Sequence, residues 1–73
     1  MEFTIGQKIQ LPKDYLITPL GLKTLKYKLV TWEVIEIYSD YYGERLVLKY
    51  KKIEHDTMKD KTIQKIEYLK SIN

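Results

Sequence analysis

Basic residues recur at alternating positions in two segments of the chain that are typical of β-strands. Because alternate strand residues project from the same face, such cations would form one charged surface. Ammonium and guanidinium groups bind phosphate oxygens, and tyrosine rings stack on bases. The sequence therefore predicts a nucleic-acid-binding face made of Lys26, Lys28, Arg45, Lys49 and Lys51, with Tyr41 and Tyr42 at the adjoining turn.

A solvated polar face explains the same cations at least as well, because charged side chains also protect strands from aggregation. Arg45 is the single arginine of the chain. Direct base readout in the major groove favours arginine, which makes bidentate contacts to guanine. If nucleic acid is the target, we therefore expect phosphate contacts that do not depend on sequence.

The same predicted face also carries apolar and aromatic side chains, which favours a different class of partner. An apolar centre with a charged rim is the usual anatomy of a protein–protein interface. The alternative prediction is an inhibitor or adaptor that docks on a host protein, and a symmetric homodimer through this face is a third possibility. The residues concerned are Trp32, Val34, Tyr38 and Val47. For Trp32 the competing interpretation is a core position reached through a β-bulge.

No arrangement typical of catalysis is found in the sequence. His55 is the single histidine and the chain has no cysteine, so a metal site would need carboxylates around one imidazole. Neither Ser39 nor Ser71 lies in a nucleophile motif, and no phosphate-binding glycine loop is present. We expect a protein that is not an enzyme, with no cofactor or metal, and with His55 in a solvated turn.

These candidate residues must be positioned by a hairpin of two strands, which the alternation predicts around a turn within residues 39–44. An even-numbered loop places Ile35 and Ile37 on the same face as Leu46 and Leu48, which predicts that the four are buried together. The same register would direct Glu33 inward, opposite Tyr50. A bulge near residues 30–34 would relieve that conflict, and a first strand is predicted near residues 6–11.

The C-terminal third of the chain fits two structures. Met58, Thr62, Ile66 and Leu69 fall on one face of a helix that residues 57–60 could cap. Alternatively, residues 56–60 form a hairpin turn and residues 62–66 a closing strand. Abundant β-branched residues and the absence of alanine slightly favour the strand.

The strand layout resembles an SH3-like small barrel. The segments that carry the resemblance are residues 6–11 (GQKIQL), 32–38, 45–51 and 66–69. The resemblance implies a five-strand antiparallel barrel, mainly β, whose long first loop is residues 12–23. Barrels of this kind bind peptides, methylated side chains or nucleic acid, so the fold alone does not give the function.

The composition of the chain indicates its size class, its charge and the cell that encodes it. With 73 residues, 44% of them hydrophobic, the chain is expected to form one small domain, and its formal charge of +3 permits nucleic-acid binding without requiring it. Abundant Lys, Ile and Tyr without alanine indicate an AT-rich bacterium, phage or plasmid. No signal peptide or membrane-spanning run is found, so we expect the cytoplasm.

Overall fold

The computed structural model describes residues 1–14 and 28–72 of the chain. Within these residues four strands form one antiparallel sheet in the order β1-β2-β3-β4, and a helix packs on one of its faces. The elements are β1 (Lys8–Pro12), β2 (Leu29–Asp40), β3 (Gly43–Tyr50), β4 (Ile53–Met58) and α1 (Lys59–Ile72). The prediction of a mainly β fold is confirmed.

The predicted five-strand closed barrel is wrong for the part of the chain that the structure describes. Its sheet has four strands and is open, with β1 and β4 at the two edges. Residues 66–69, which the barrel resemblance placed in a strand, lie in α1. Most of the predicted first loop, residues 12–23, lies outside the described residues.

The β2–β3 hairpin turns at Tyr41 and Tyr42, within the predicted range, but its register contains a bulge. Leu46 pairs with Ile37, whereas Leu48 pairs with Val34, so Ile35 is an extra residue in β2. The bulge lies just beyond the predicted range of residues 30–34. It turns Trp32 and Val34 toward the core and leaves Ile35 half-buried, so the predicted burial of Ile35 with Leu48 is wrong.

The second hairpin, between β3 and β4, was not predicted. Its turn consists of Lys51 and Lys52, and Tyr50 pairs with Ile53 across it. Lys51 has a φ of +53°, in the left-handed region that glycine or asparagine usually occupies. Because neither residue type stands at this turn, the sequence offered no signal for it, and the predicted turn at residues 56–60 is wrong.

The core lies between the inner face of the sheet and α1. Trp32 is fully buried, and its indole N–H donates to the Pro12 carbonyl with an N···O distance of 3.3 Å. That hydrogen bond matters because a buried indole N–H without an acceptor would be destabilising. The buried apolar residues are Phe3, Ile9, Leu11, Trp32, Val34, Leu46, Leu48 and Leu69.

Residues 59–72 form a helix, so the slight preference for a closing strand is wrong. The helical face predicted from spacing is the buried one: Thr62 and Leu69 are buried, and Ile66 packs against the core. The Thr62 hydroxyl donates to the Met58 carbonyl one turn earlier, at 3.1 Å, which satisfies a buried hydroxyl. Tertiary packing of this face outweighs the modest helix propensity of its β-branched residues.

Candidate functional site

The outer face of the sheet, on the side away from α1, carries both signs of charge. The strand registers place cations and carboxylates side by side in the same cross-strand rows. Lys8 donates to Glu33 at 2.8 Å, and Lys49 lies between Glu33 and Glu54 in the same row. Carboxylates outnumber cations on this face: Glu33, Glu36, Asp40, Glu54 and Asp56 against Lys8, Arg45 and Lys49. The outer face is therefore mixed in charge, with its cations interspersed among a larger number of carboxylates.

Arg45 is occupied by partners on this face rather than free for phosphate. Its guanidinium contacts Asp56 at 3.0 Å and Asp40 at 3.5 Å. The Tyr38 hydroxyl donates a second hydrogen bond to Asp56, and this bond, followed by Arg45, lowers the pKa of the Asp56 carboxyl. The bond to Asp56 raises the pKa of the Arg45 guanidinium in turn. These three side chains bridge β2, β3 and β4, so a phosphate bound by Arg45 would compete with two carboxylates for its guanidinium.

The alternative docking face is not formed as predicted either. Trp32 and Val34 are fully buried in the core, which confirms the competing interpretation of Trp32. Tyr38 and Val47 do lie on the outer face, both half-buried, with the Tyr38 hydroxyl bonded to Asp56. An interface on this face, with a host protein or in a homodimer, would have only these two of the four predicted contacts.

Exposed lysines gather instead at one end of the sheet. Lys13 directly follows β1, Lys28 directly precedes β2, and the Lys51–Lys52 turn joins β3 to β4 at the same end. Pro12 pairs with Leu29, which brings Lys13 and Lys28 beside each other. At the usual strand spacing and rise per residue, Lys51 and Lys52 lie roughly 10–20 Å from them. We call Lys13, Lys28, Lys51 and Lys52 the lysine end. Lys26, which was predicted to bind nucleic acid, lies outside the described residues.

The charges of the lysine end are available to a ligand. Among the ion pairs between described residues, none involves a lysine of this group. The Lys51 ammonium lies 5.3 Å from the centre of the Tyr50 ring, a cation–π contact that leaves it in solvent. Among the described residues at this end, Asp14 directly follows Lys13 and Glu54 lies two residues after Lys52, so the four lysines outnumber the two carboxylates beside them.

Tyr41 and Tyr42 form the opposite end of the molecule, which we call the tyrosine tip. Their exposed fractions are 94% and 76%, the highest of any large apolar side chains that the structure describes. The eight residues of β3 separate the tip from Lys51, a span of roughly 25 Å at the usual rise per residue. The predicted site, with Lys51 on phosphates and these rings on neighbouring bases, is therefore not formed as one compact surface.

His55 is not the solvated turn residue that was expected. It lies in β4, half-buried, and its ring meets the Trp32 ring edge-on with centroids 5.0 Å apart. Within residues 1–14 and 28–72, no group of three or more His, Asp or Glu side chains is arranged so that it could hold a metal ion.

An open groove of about 320 Å³ beside β1 is lined mainly by apolar residues such as Phe3, Ile9 and Leu69.

Two members of the lysine end, Lys13 and Lys52, were missed by sequence reasoning. Strand alternation detects residues that share a face, whereas these two share an end of the sheet through turns that are far apart in sequence. The sequence signal that could have identified them is the presence of lysines directly after Pro12 and after Tyr50, where the strands end.

No helix in the described part of the chain is long and apolar enough to cross a membrane. Comparison of the chain with protein-family models, curated proteins and solved structures gave no significant match.

Proposed function

We propose that this protein is a non-enzymatic binding module that holds nucleic acid through its lysine end. The observation that supports this most directly is the group of exposed lysines Lys13, Lys28, Lys51 and Lys52, which make no ion pair within the described residues. A polyanion that neutralises several such charges gains free energy by releasing condensed counterions. We place this activity in the cytoplasm. The composition of the chain favours a protein encoded by a mobile element or phage whose genome is AT-rich.

The chemistry of the lysine end favours phosphate contacts over base readout. A lysine ammonium is a flexible point charge with no preferred plane, so it binds phosphate without distinguishing bases. Arg45, the residue best suited to reading guanine, is held by Asp40 and Asp56 on the outer face. We therefore expect affinity for DNA and RNA of any sequence.

The test is fluorescence anisotropy with labelled single- and double-stranded oligonucleotides over a range of salt concentrations. Three phosphate contacts would give a log–log slope of affinity against salt of about −2 to −3. Lys52→Glu and Lys28→Glu should each make the slope shallower by about 0.7–0.9, the share of one contact. Both residues are exposed, so these changes should leave the fold intact.

The matched control is Lys61→Glu, which makes the same change in net charge at the other end of the molecule. Lys61 is exposed in the first turn of α1. That turn directly follows Met58, the last residue of β4, which pairs with Arg45 near the start of β3. If position matters more than net charge, this variant should bind nearly as well as the wild type. Equal losses for Lys61→Glu and Lys52→Glu, or no binding at low salt, would contradict the proposed site.

A further inference from the structure

The tyrosine tip has a surface that does not belong to the proposed nucleic-acid site. Tyr41 and Tyr42 pack on each other edge to face, with ring centroids 5.3 Å apart and planes at 85°. Neither ring is folded onto the sheet, since their exposed fractions are 94% and 76%. Tyrosine is one of the residue types that most often anchor a protein–protein interface, and here two of them are exposed side by side.

The tip is also pre-organised. The Tyr42 backbone N–H donates to the Asp40 carboxylate at 2.9 Å, and Asp40 pairs with Gly43 across a turn of only two residues. Gly43 adopts a φ of +125°, which a residue with a side chain would reach only under strain. A rigid hairpin loses little conformational entropy on binding, so more of the contact energy is available for affinity.

The charges around the tip decide which class of partner it can meet. Two cations there are shared among four carboxylates: Arg45 with Asp40 and Asp56, and Lys59 with Glu2 and Glu44. Asp60 and Lys61, both exposed in the first turn of α1, cancel in charge. Glu36 adds a negative charge on the outer face, about 13 Å from the tip along β2. An acidic surface repels nucleic acid phosphates, whereas it complements a basic protein surface.

We infer that the tyrosine tip docks into an apolar pocket with a basic rim on a partner protein. The two rings would fill the pocket, and the surplus carboxylates would face lysine or arginine side chains of the partner. Because the lysine end is roughly 25 Å away along β3, one molecule could hold nucleic acid and this partner together. The inference does not depend on the proposed nucleic-acid function.

The experiment uses the full chain, immobilised through its C-terminus, with nuclease-treated soluble lysate of the cells that carry the gene. The test variant is Tyr41→Ser with Tyr42→Ser, which removes both rings and keeps the turn. Ile5→Ser is the matched control, because Ile5 is a 62% exposed apolar residue in a turn elsewhere. A protein retained by wild type and by Ile5→Ser is then purified, and its affinity for each variant is measured by calorimetry.

We expect the tyrosine double variant to bind the purified partner at least 30-fold more weakly, the loss typical of removing a hot spot. Glu36→Lys should slow association and reduce its dependence on salt, and Lys52→Glu should have no effect on this affinity. Unchanged melting temperatures would show that the variants fold.

Three results would overturn the inference. In the first, every protein retained by the wild type is also retained by the tyrosine variant. In the second, the purified partner binds the wild type and the tyrosine variant with equal affinity. In the third, the only protein retained is a further copy of this chain. The anisotropy assay reports separately on the lysine end, so failure of one proposal leaves the other standing.

Discussion

At the scale of single residues, Leu48 shows how much of this small fold depends on a few buried side chains. It is fully buried and pairs with Val34 on one side and His55 on the other, on the inner face of the sheet. Leu48→Ala would leave a cavity where neighbouring strands cannot close in. We expect the free energy of unfolding to fall by about 2–5 kcal/mol, measured by urea denaturation followed by Trp32 fluorescence.

Val47→Ala is the control for this prediction, because Val47 is the next residue of β3 and lies half-buried on the outer face. Its loss should cost about 1 kcal/mol or less. Similar losses at the two positions would contradict the assignment of inner and outer faces.

At the scale of elements, the outer-face cluster of Tyr38, Arg45 and Asp56 ties three strands together. Hydrogen bonds from Tyr38 and then Arg45 keep the pKa of the folded-state Asp56 carboxyl below that of an unfolded aspartate. A depressed carboxyl pKa stabilises the fold above the unfolded pKa, and this stabilisation is lost as pH falls through the folded pKa. The cluster should therefore stabilise the sheet at neutral pH and fail in acid.

Comparison of wild type with Asp56→Asn tests this dependence, because other titrating groups are common to both proteins. We expect the wild type to be the more stable at pH 7 and the difference to shrink as pH falls below about 4, the range of an unfolded aspartate. Thermal melts at a series of pH values measure the difference. A difference that stays constant down to strongly acidic pH would show that the Asp56 charge does not contribute.

At the scale of the whole molecule, α1 completes a core that the sheet cannot enclose alone. It covers the inner face with Thr62 and Leu69 and packs against β1, β3 and β4. A chain that ends at Met58 would expose Trp32 and its neighbours to water. We expect such a chain to lose cooperative unfolding and to show red-shifted Trp32 emission without denaturant.

The control for truncation is a chain that ends at Lys70, since Ser71 is exposed and contributes only a hydrogen bond to the Tyr68 carbonyl. It should unfold cooperatively like the full chain. Cooperative unfolding of the chain that ends at Met58 would mean that the sheet is stable without its helix.

The described part of the molecule is also polarised in charge, with the lysine end and the acidic tyrosine tip at opposite ends of β3. Strand alternation placed Lys49, Lys51 and Tyr41 in one predicted site because it describes only which face a residue occupies. The length of β3 and the directions of the turns separate these residues. Electrostatic steering by each end would act on a different class of ligand.

The sequence by itself determined the mainly β fold, the position of the β2–β3 turn and the burial of Leu46 and Leu48. These features follow from local alternation and from turn residues such as Gly43, which act within a few residues of each other. The spacing of Thr62, Ile66 and Leu69 also identified the helical face of α1, although β-branched composition favoured a strand.

Only the tertiary structure decided the position of the bulge at Ile35, the Lys51–Lys52 turn and the partners of Arg45. Each depends on residues that are distant in sequence. The core accepts Trp32 because the Pro12 carbonyl meets its N–H, and Arg45 is occupied because β4 brings Asp56 beside it. Charge and alternation in one strand cannot reveal which side chains the neighbouring strands supply, and those side chains determine which cations remain free to bind.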